Sequence, residues 1–175
     1  VLLPRPQGDA PDIGAYERAA TSGQVNGASF EYLNRMAVNF TFTADASVNF
    51  SRSNITLTQL GTGQVVNVGS LVWNTAGTTA SLVLSNLLAD GNYRATAGSS
   101  TVDFFVLAGD ANRDRTVNFD DLLVLAQNYG VPGNYAAGDT NYDGAVDFTD
   151  LLTLAQRFNA SVPALALPTG GTKTV

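Results

Sequence analysis

Two stretches of this chain carry oxygen-bearing side chains at every second position, which is the spacing a hard cation needs. Residues 109–130 read GDANRDRTVNFDDLLVLAQNYG and residues 138–159 read GDTNYDGAVDFTDLLTLAQRFN. At an offset of 29 residues, 12 of 22 positions are identical, so the two form an internal repeat. Calcium takes six to eight oxygen ligands at about 2.3–2.6 Å, and a twelve-residue loop supplies them from positions 1, 3, 5, 7, 9 and 12. In the first copy these are Asp110, Asn112, Asp114, the Thr116 carbonyl, Asn118 (directly or through water) and Asp121. In the second they are Asp139, Asn141, Asp143, the Ala145 carbonyl, Asp147 and Asp150. Two bound calcium ions are the expectation, and two Asp/Asn-rich turns without metal are the alternative. Position 12 is Asp rather than Glu, so its carboxylate reaches less far. Position 6 favours Gly and is Gly144 in the second loop but Arg115 in the first, so the first site is expected to be weaker or differently shaped.

Other chemistries are poorly served. The 175 residues contain no Cys and no His, which removes thiol nucleophiles, Cys/His zinc sites and imidazole-based triads. The one Lys is Lys173. Outside the repeat, the acids of the middle region, Glu31, Asp45, Asp90 and Asp103, are scattered one per strand or turn and form no catalytic pair by spacing. Trp73 reads as a core or half-buried side chain rather than a sugar platform. Charge supports a cation as ligand. Of the 15 acidic residues, eight lie between 110 and 150, where only Arg113 and Arg115 offset them, so the whole net charge of −6 sits there. That argues against nucleic acid as a partner. No apolar run approaches the length of a membrane span. The chain opens on Val1 with no secretory leader pattern, as expected for a processed or excised piece.

The loops need elements to hold them. Each is followed by an apolar stripe at helical spacing: Leu122, Leu125, Ala126 and Tyr129, then Leu151, Leu154, Ala155 and Phe158. The stripes are expected to pack on each other, with Val117 and Val146 pairing the loops or sealing the core. Residues 25–107 instead alternate with period two: Met36, Val38, Phe40 and Phe42 fall on one face, as do Ile55 and Leu57. Further strands are predicted at 28–33, 64–68, 70–74, 79–84, 91–97 and 101–107, separated by Gly-rich turns. Seven or eight short strands predict an immunoglobulin-like antiparallel β-sandwich, with a small barrel as the alternative. The whole is read as a multidomain β + α chain: an N-terminal arm (1–24), the sandwich (25–107), a small all-α calcium-binding domain (108–160) and a C-terminal tail (161–175).

Residues 109–159 resemble a type I dockerin module, with two F-hand calcium loops each followed by one helix and related by near two-fold symmetry. The resemblance implies calcium binding and anchoring of a secreted protein to a cohesin-like domain. It places partner recognition at loop positions 10 and 11 and one and a half turns further along. These are Phe119, Asp120, Ala126 and Gln127 in the first copy, and Phe148, Thr149, Ala155 and Gln156 in the second. The family's familiar Ser-Thr pair and basic helix residues are replaced here. The sandwich resembles bacterial immunoglobulin-like modules through DGNYRAT and DFFVLAGD, and PRPQGDAPDIGAYE resembles the closing segment of secreted parallel β-helix proteins.

The function expected is a non-catalytic, extracellular, calcium-dependent assembly module. Its partner is a cohesin-like domain or other copies of the chain, which could form a filament through the apolar terminal segments adding strands to open sheet edges. The alternative is the C-terminal anchoring region of a larger secreted carbohydrate-active enzyme or adhesin. A carbohydrate-binding sandwich would instead need an exposed platform, for which Tyr93, Trp73 and Tyr32 are the candidates.

Overall fold

In the computed structural model, which describes residues 23–67, 69–84 and 88–165, the period-two segments form two four-stranded antiparallel sheets. The strands are β1 (Val25–Glu31), β2 (Ala37–Phe42), β3 (Ile55–Gln59), β4 (Gln64–Val65), β5 (Ser70–Trp73), β6 (Thr79–Val83), β7 (Gly91–Ala97) and β8 (Ser100–Val106). One sheet has the order β1-β2-β6-β5 and the other β4-β3-β7-β8, which is the immunoglobulin-like sandwich rather than a barrel. The predicted phase is correct: Met36, Val38, Phe40, Phe42, Ile55 and Leu57 all face the core. They meet Leu82, Tyr93, Ala95 and Phe104 from the facing strands. The expectations for the arm and for most of the tail fall on residues 1–22 and 166–175, outside the described residues.

The side chains considered for sugar binding are engaged within the fold. Tyr93 is buried and donates its hydroxyl to the Ala89 carbonyl at 2.7 Å. Trp73 packs with Phe42 and Phe50 at ring separations of 5.2 and 5.9 Å. Tyr32 meets the edge of Tyr135. The scattered carboxylates likewise hold structure. Glu31 accepts from the Leu33 and Asn34 amides, Asp45 caps a turn at Ser47, Asp90 accepts from the Ala108 amide, and Asp103 pairs with Arg94 across β7 and β8.

The repeat folds as α1 (Phe119–Asn128) and α2 (Phe148–Arg157), each behind its loop, with a short 3-10 turn at Tyr135–Ala137 between them. Leu125, Leu154, Val117 and Val146 form their shared core, with Leu122 and Leu151 at its rim. The rest of each predicted stripe departs from expectation. Ala126, Ala155, Tyr129 and Phe158 are exposed, because two short helices crossing over a small core bury little more than one residue per turn. Of the two expectations for Val117 and Val146, sealing the core is the one realised, and their main chains bond elsewhere. The Val117 amide donates to Ala160 and its carbonyl accepts from Asn159, while the Val146 amide donates to Val131 and its carbonyl accepts from Gly130. Each loop is thus stitched to the segment that follows the other loop's helix. Phe105 and Leu107, at the end of β8 and just beyond, join this same core.

Candidate metal centre

Each loop is positioned by the start of its helix and by a glycine at its entry. Asn118 and Asp147, at loop position 9, are N-caps: their side chains accept from the amides of Asp120 and Thr149, both at 2.7 Å. Asp121 and Asp150 complete a reciprocal capping box from the third helical position. Because the helix begins at position 10, the short Asp side chain already stands at the loop's mouth. Gly109 and Gly138 have φ of 88° and 110° and approach the other repeat's helix closely. A Cβ on Gly109 would lie 3.1 Å from Leu154 Cα, and one on Gly138 would lie 3.0 Å from Leu125 Cα.

Inside the loops, main-chain amides converge on the predicted side chains. In the first, Asp114 donates to Asp110 Oδ1 (3.1 Å) and Asn112 Oδ1 (2.9 Å), Arg115 to Asp110 Oδ2 (3.0 Å), and Thr116 to Asp114 Oδ1 (2.8 Å). Asn112 and Asn118 donate to the two oxygens of Asp121 at 3.2 and 2.8 Å. The second loop repeats this bond for bond. Asp143 donates to Asp139 Oδ1 (3.1 Å) and Asn141 Oδ1 (2.8 Å), Gly144 to Asp139 Oδ2 (3.0 Å), and Ala145 to Asp143 Oδ1 (3.0 Å). Asn141 and Asp147 donate to Asp150 at 3.3 and 3.1 Å. Position 7 of each loop, Thr116 and Ala145, lies in a short antiparallel bridge, to Ser161 and Pro132 respectively.

The sequence suggested a differently shaped first loop, but the two loops share one backbone course. Arg115 has φ of 77° where Gly144 has 91°, and their amides make the same 3.0 Å bond. Residues at position 4, Arg113 and Tyr142, also share a left-handed φ, of 59° and 63°.

The electrostatics favour a positive charge in each loop. Asp110, Asp121 and Asp150 are fully buried and Asp139 is 3% exposed. Among the described residues the ion pairs are Arg94–Asp103 and Arg157–Asp90, and neither reaches these carboxylates. Burial pushes Asp110 up to about 6, with the charges of Asp121 and Asp114 adding to it. Burial likewise raises Asp121 and Asp139. A buried carboxylate without a counter-charge is costly, and amide hydrogen bonds offset only part of that cost. Among the described residues no three acidic side chains close by themselves into a metal-holding group. Each loop instead brings carboxylates together with an Asn amide oxygen, and such an all-oxygen set suits a hard divalent ion of flexible geometry.

The eight residues expected to meet a partner are all at the surface, and Phe119 and Phe148 are each 65% exposed. The sequence reading overlooked Leu123 and Leu152, which are also exposed one turn further along the same faces, at 46% and 45%. Their i+4 spacing from Phe119 and Phe148 was the available signal.

A family model described as the dockerin type I domain matches residues 108–159. No curated protein matches the chain. Among solved structures, the chain is similar to "Structure of surface layer protein SbsC, domains 1-6", at 20% identity and a TM-score of 0.38. That similarity covers 51% of this chain and 14% of the other.

Proposed function

With residues 108–159 matched as a type I dockerin domain, we propose that this chain is a non-catalytic, extracellular module that docks to a protein partner once two calcium ions are bound. In this reading the sandwich (25–107) carries the docking domain (108–160). The carrying observation is the paired set of buried carboxylates, held in one geometry twice over and, among the described residues, in no ion pair with a cationic side chain. Asp110, Asn112, Asp114, the Thr116 carbonyl, Asn118 and Asp121 would hold one ion. Asp139, Asn141, Asp143, the Ala145 carbonyl, Asp147 and Asp150 would hold the other. The ion contributes charge neutralisation and loop rigidity, and for a domain of about 50 residues that is much of the folding free energy. Extracellular calcium is plentiful enough to fill even weak loops.

Docking falls to the two equivalent helix faces. Each presents an exposed Phe and Leu, Phe119 with Leu123 and Phe148 with Leu152, beside Asp120 and Gln127 or Thr149 and Gln156. Aromatic anchors ringed by polar residues are the usual make-up of an interface centre. The partner is a cohesin-like domain. A calcium-loaded chain run in sedimentation velocity, alone and with a panel of cohesin domains, tests this. A compact monomer that forms a one-to-one complex supports the proposal. Large homopolymers in calcium alone would replace the cohesin-like partner with the chain itself. Identical behaviour in calcium and in chelator would refute calcium dependence altogether.

A further inference from the structure

The side chains at position 4 of both loops, Arg113 and Tyr142, and at position 6 of the first, Arg115, reach back to the sandwich. The Arg113 guanidinium lies 4.1 Å from the Phe105 ring centre and 4.3 Å from that of Tyr32, and its Nη2 donates to the Phe105 carbonyl at 3.2 Å. Arg115 stacks on Phe105 at 4.1 Å and donates to Asn92 Oδ1 at 3.0 Å. From the second loop, Tyr142 stacks on Tyr135 and donates its hydroxyl to the Tyr32 carbonyl at 2.8 Å. Tyr135 binds the sandwich twice more: its amide donates to Leu33 at 2.9 Å and its hydroxyl to Leu107 at 2.7 Å.

Arg113, Arg115 and Tyr142 all hold left-handed backbone, which L residues adopt reluctantly, so two demands meet at each. The loop needs that backbone to aim its amides at Asp110 and Asp139, and the sandwich contacts need it to aim the side chain the other way. We infer that Arg113, Arg115 and Tyr142 are positioning residues that make the β-sandwich a linked part of the calcium site, so that calcium binding and the seating of the sandwich strengthen each other. The inference rests on the calcium reading above. By reciprocity, an ion bound in the loops stabilises the sandwich by the same factor that the sandwich tightens the ion.

Arg113→Gly gives the test a sign. It relieves left-handed backbone and removes a positive charge near the loop, and both of those changes favour calcium. Loss of the sandwich contact opposes it. Calcium titration calorimetry on the full chain is expected to show two sites in the wild type and about tenfold weaker binding at one site in Arg113→Gly. Arg113→Lys should fall between. The second readout is thermal melting followed by Trp73, the one Trp in the chain, which sits in the sandwich. Calcium should raise that melting temperature by about 5 °C or more in the wild type and by much less in Arg113→Gly. Equal or tighter binding by Arg113→Gly, or a sandwich melt indifferent to calcium, overturns the inference and leaves the calcium reading intact. A wild type that binds no calcium overturns both. Should Arg113→Gly lack native Trp73 emission, Tyr142→Phe replaces it. This variant keeps the ring and loses only the bond to Tyr32, so a weakened second site supports linkage and an unchanged one refutes it.

Discussion

Gly138→Ala and Gly144→Ala form a matched pair that separates backbone cost from packing cost in the calcium-binding domain. Both glycines have positive φ, 110° and 91°, so both variants impose left-handed strain on an Ala, worth about 1–2 kcal/mol. Their surroundings differ. A Cβ at Gly144 meets no heavy atom within 4 Å, whereas one at Gly138 lies 3.0 Å from Leu125 Cα and 3.3 Å from Val146 Cγ1. The first of those neighbours is helix backbone and cannot step aside without moving α1. Overpacking of that kind adds about 1–3 kcal/mol. The expected losses are therefore about 1–2 kcal/mol for Gly144→Ala and about 2–5 kcal/mol for Gly138→Ala. A domain of this size has only a few kcal/mol to lose. Urea titration in saturating calcium, followed by the helical signal in far-ultraviolet circular dichroism, measures both. Equal losses in the two variants would refute the close approach between the second loop's entry and the first repeat's helix, and with it the interlocked two-fold arrangement.

Further outcomes are expected. On the proposed ligand set, in which position 12 closes each loop, Asp121→Asn and Asp150→Asn should each reduce the calcium stoichiometry from two to one in titration calorimetry. On the proposed docking faces, where the two exposed rings act as anchors, Phe119→Ala combined with Phe148→Ala should leave calcium binding unchanged and weaken partner capture about tenfold or more in surface plasmon resonance. Arg157→Ala should cost under about 1 kcal/mol and less at high salt, its pair with Asp90 being half exposed. Asp90→Ala should cost more in the same urea titration, since Asp90 also accepts from the Ala108 amide at the junction. The Arg94 guanidinium holds Asp103 below the ordinary carboxylate value of 3.8. That contribution is complete above pH 3.8 and fades as pH falls through the lowered value, so Arg94→Ala should flatten the acid limb of stability against pH.

Much of the architecture was legible because its causes are local. Alternation from Met36 to Phe42 sets which face of a strand is buried whatever the partner strand, and all four of those side chains are in the core. Where burial depends on how elements cross, the sequence misled. Ala126, Tyr129, Ala155 and Phe158 continue a helical stripe by spacing, but the helices end at Asn128 and Arg157 and bury only Leu125 and Leu154 on that side. Val117 and Val146 were placed in the core correctly, yet their hydrogen-bond partners come from segments following the other repeat's helix, which periodicity does not encode.

The loops show the same division most sharply. By itself the sequence determined the oxygen pattern, its duplication, and the presence of a helix behind each loop, because these lie within short runs of consecutive residues and short-range geometry decides them. By spacing, Arg115 is a non-glycine at a glycine position, Arg113 a charge offsetting the acids, and Tyr142 carries no signal. Only the tertiary structure gave them work, by bringing Phe105 and Asn92 to the arginines and a carbonyl 110 residues away to Tyr142. Contacts of that reach follow from how two separately patterned modules seat on each other, and no spacing within either module contains that information.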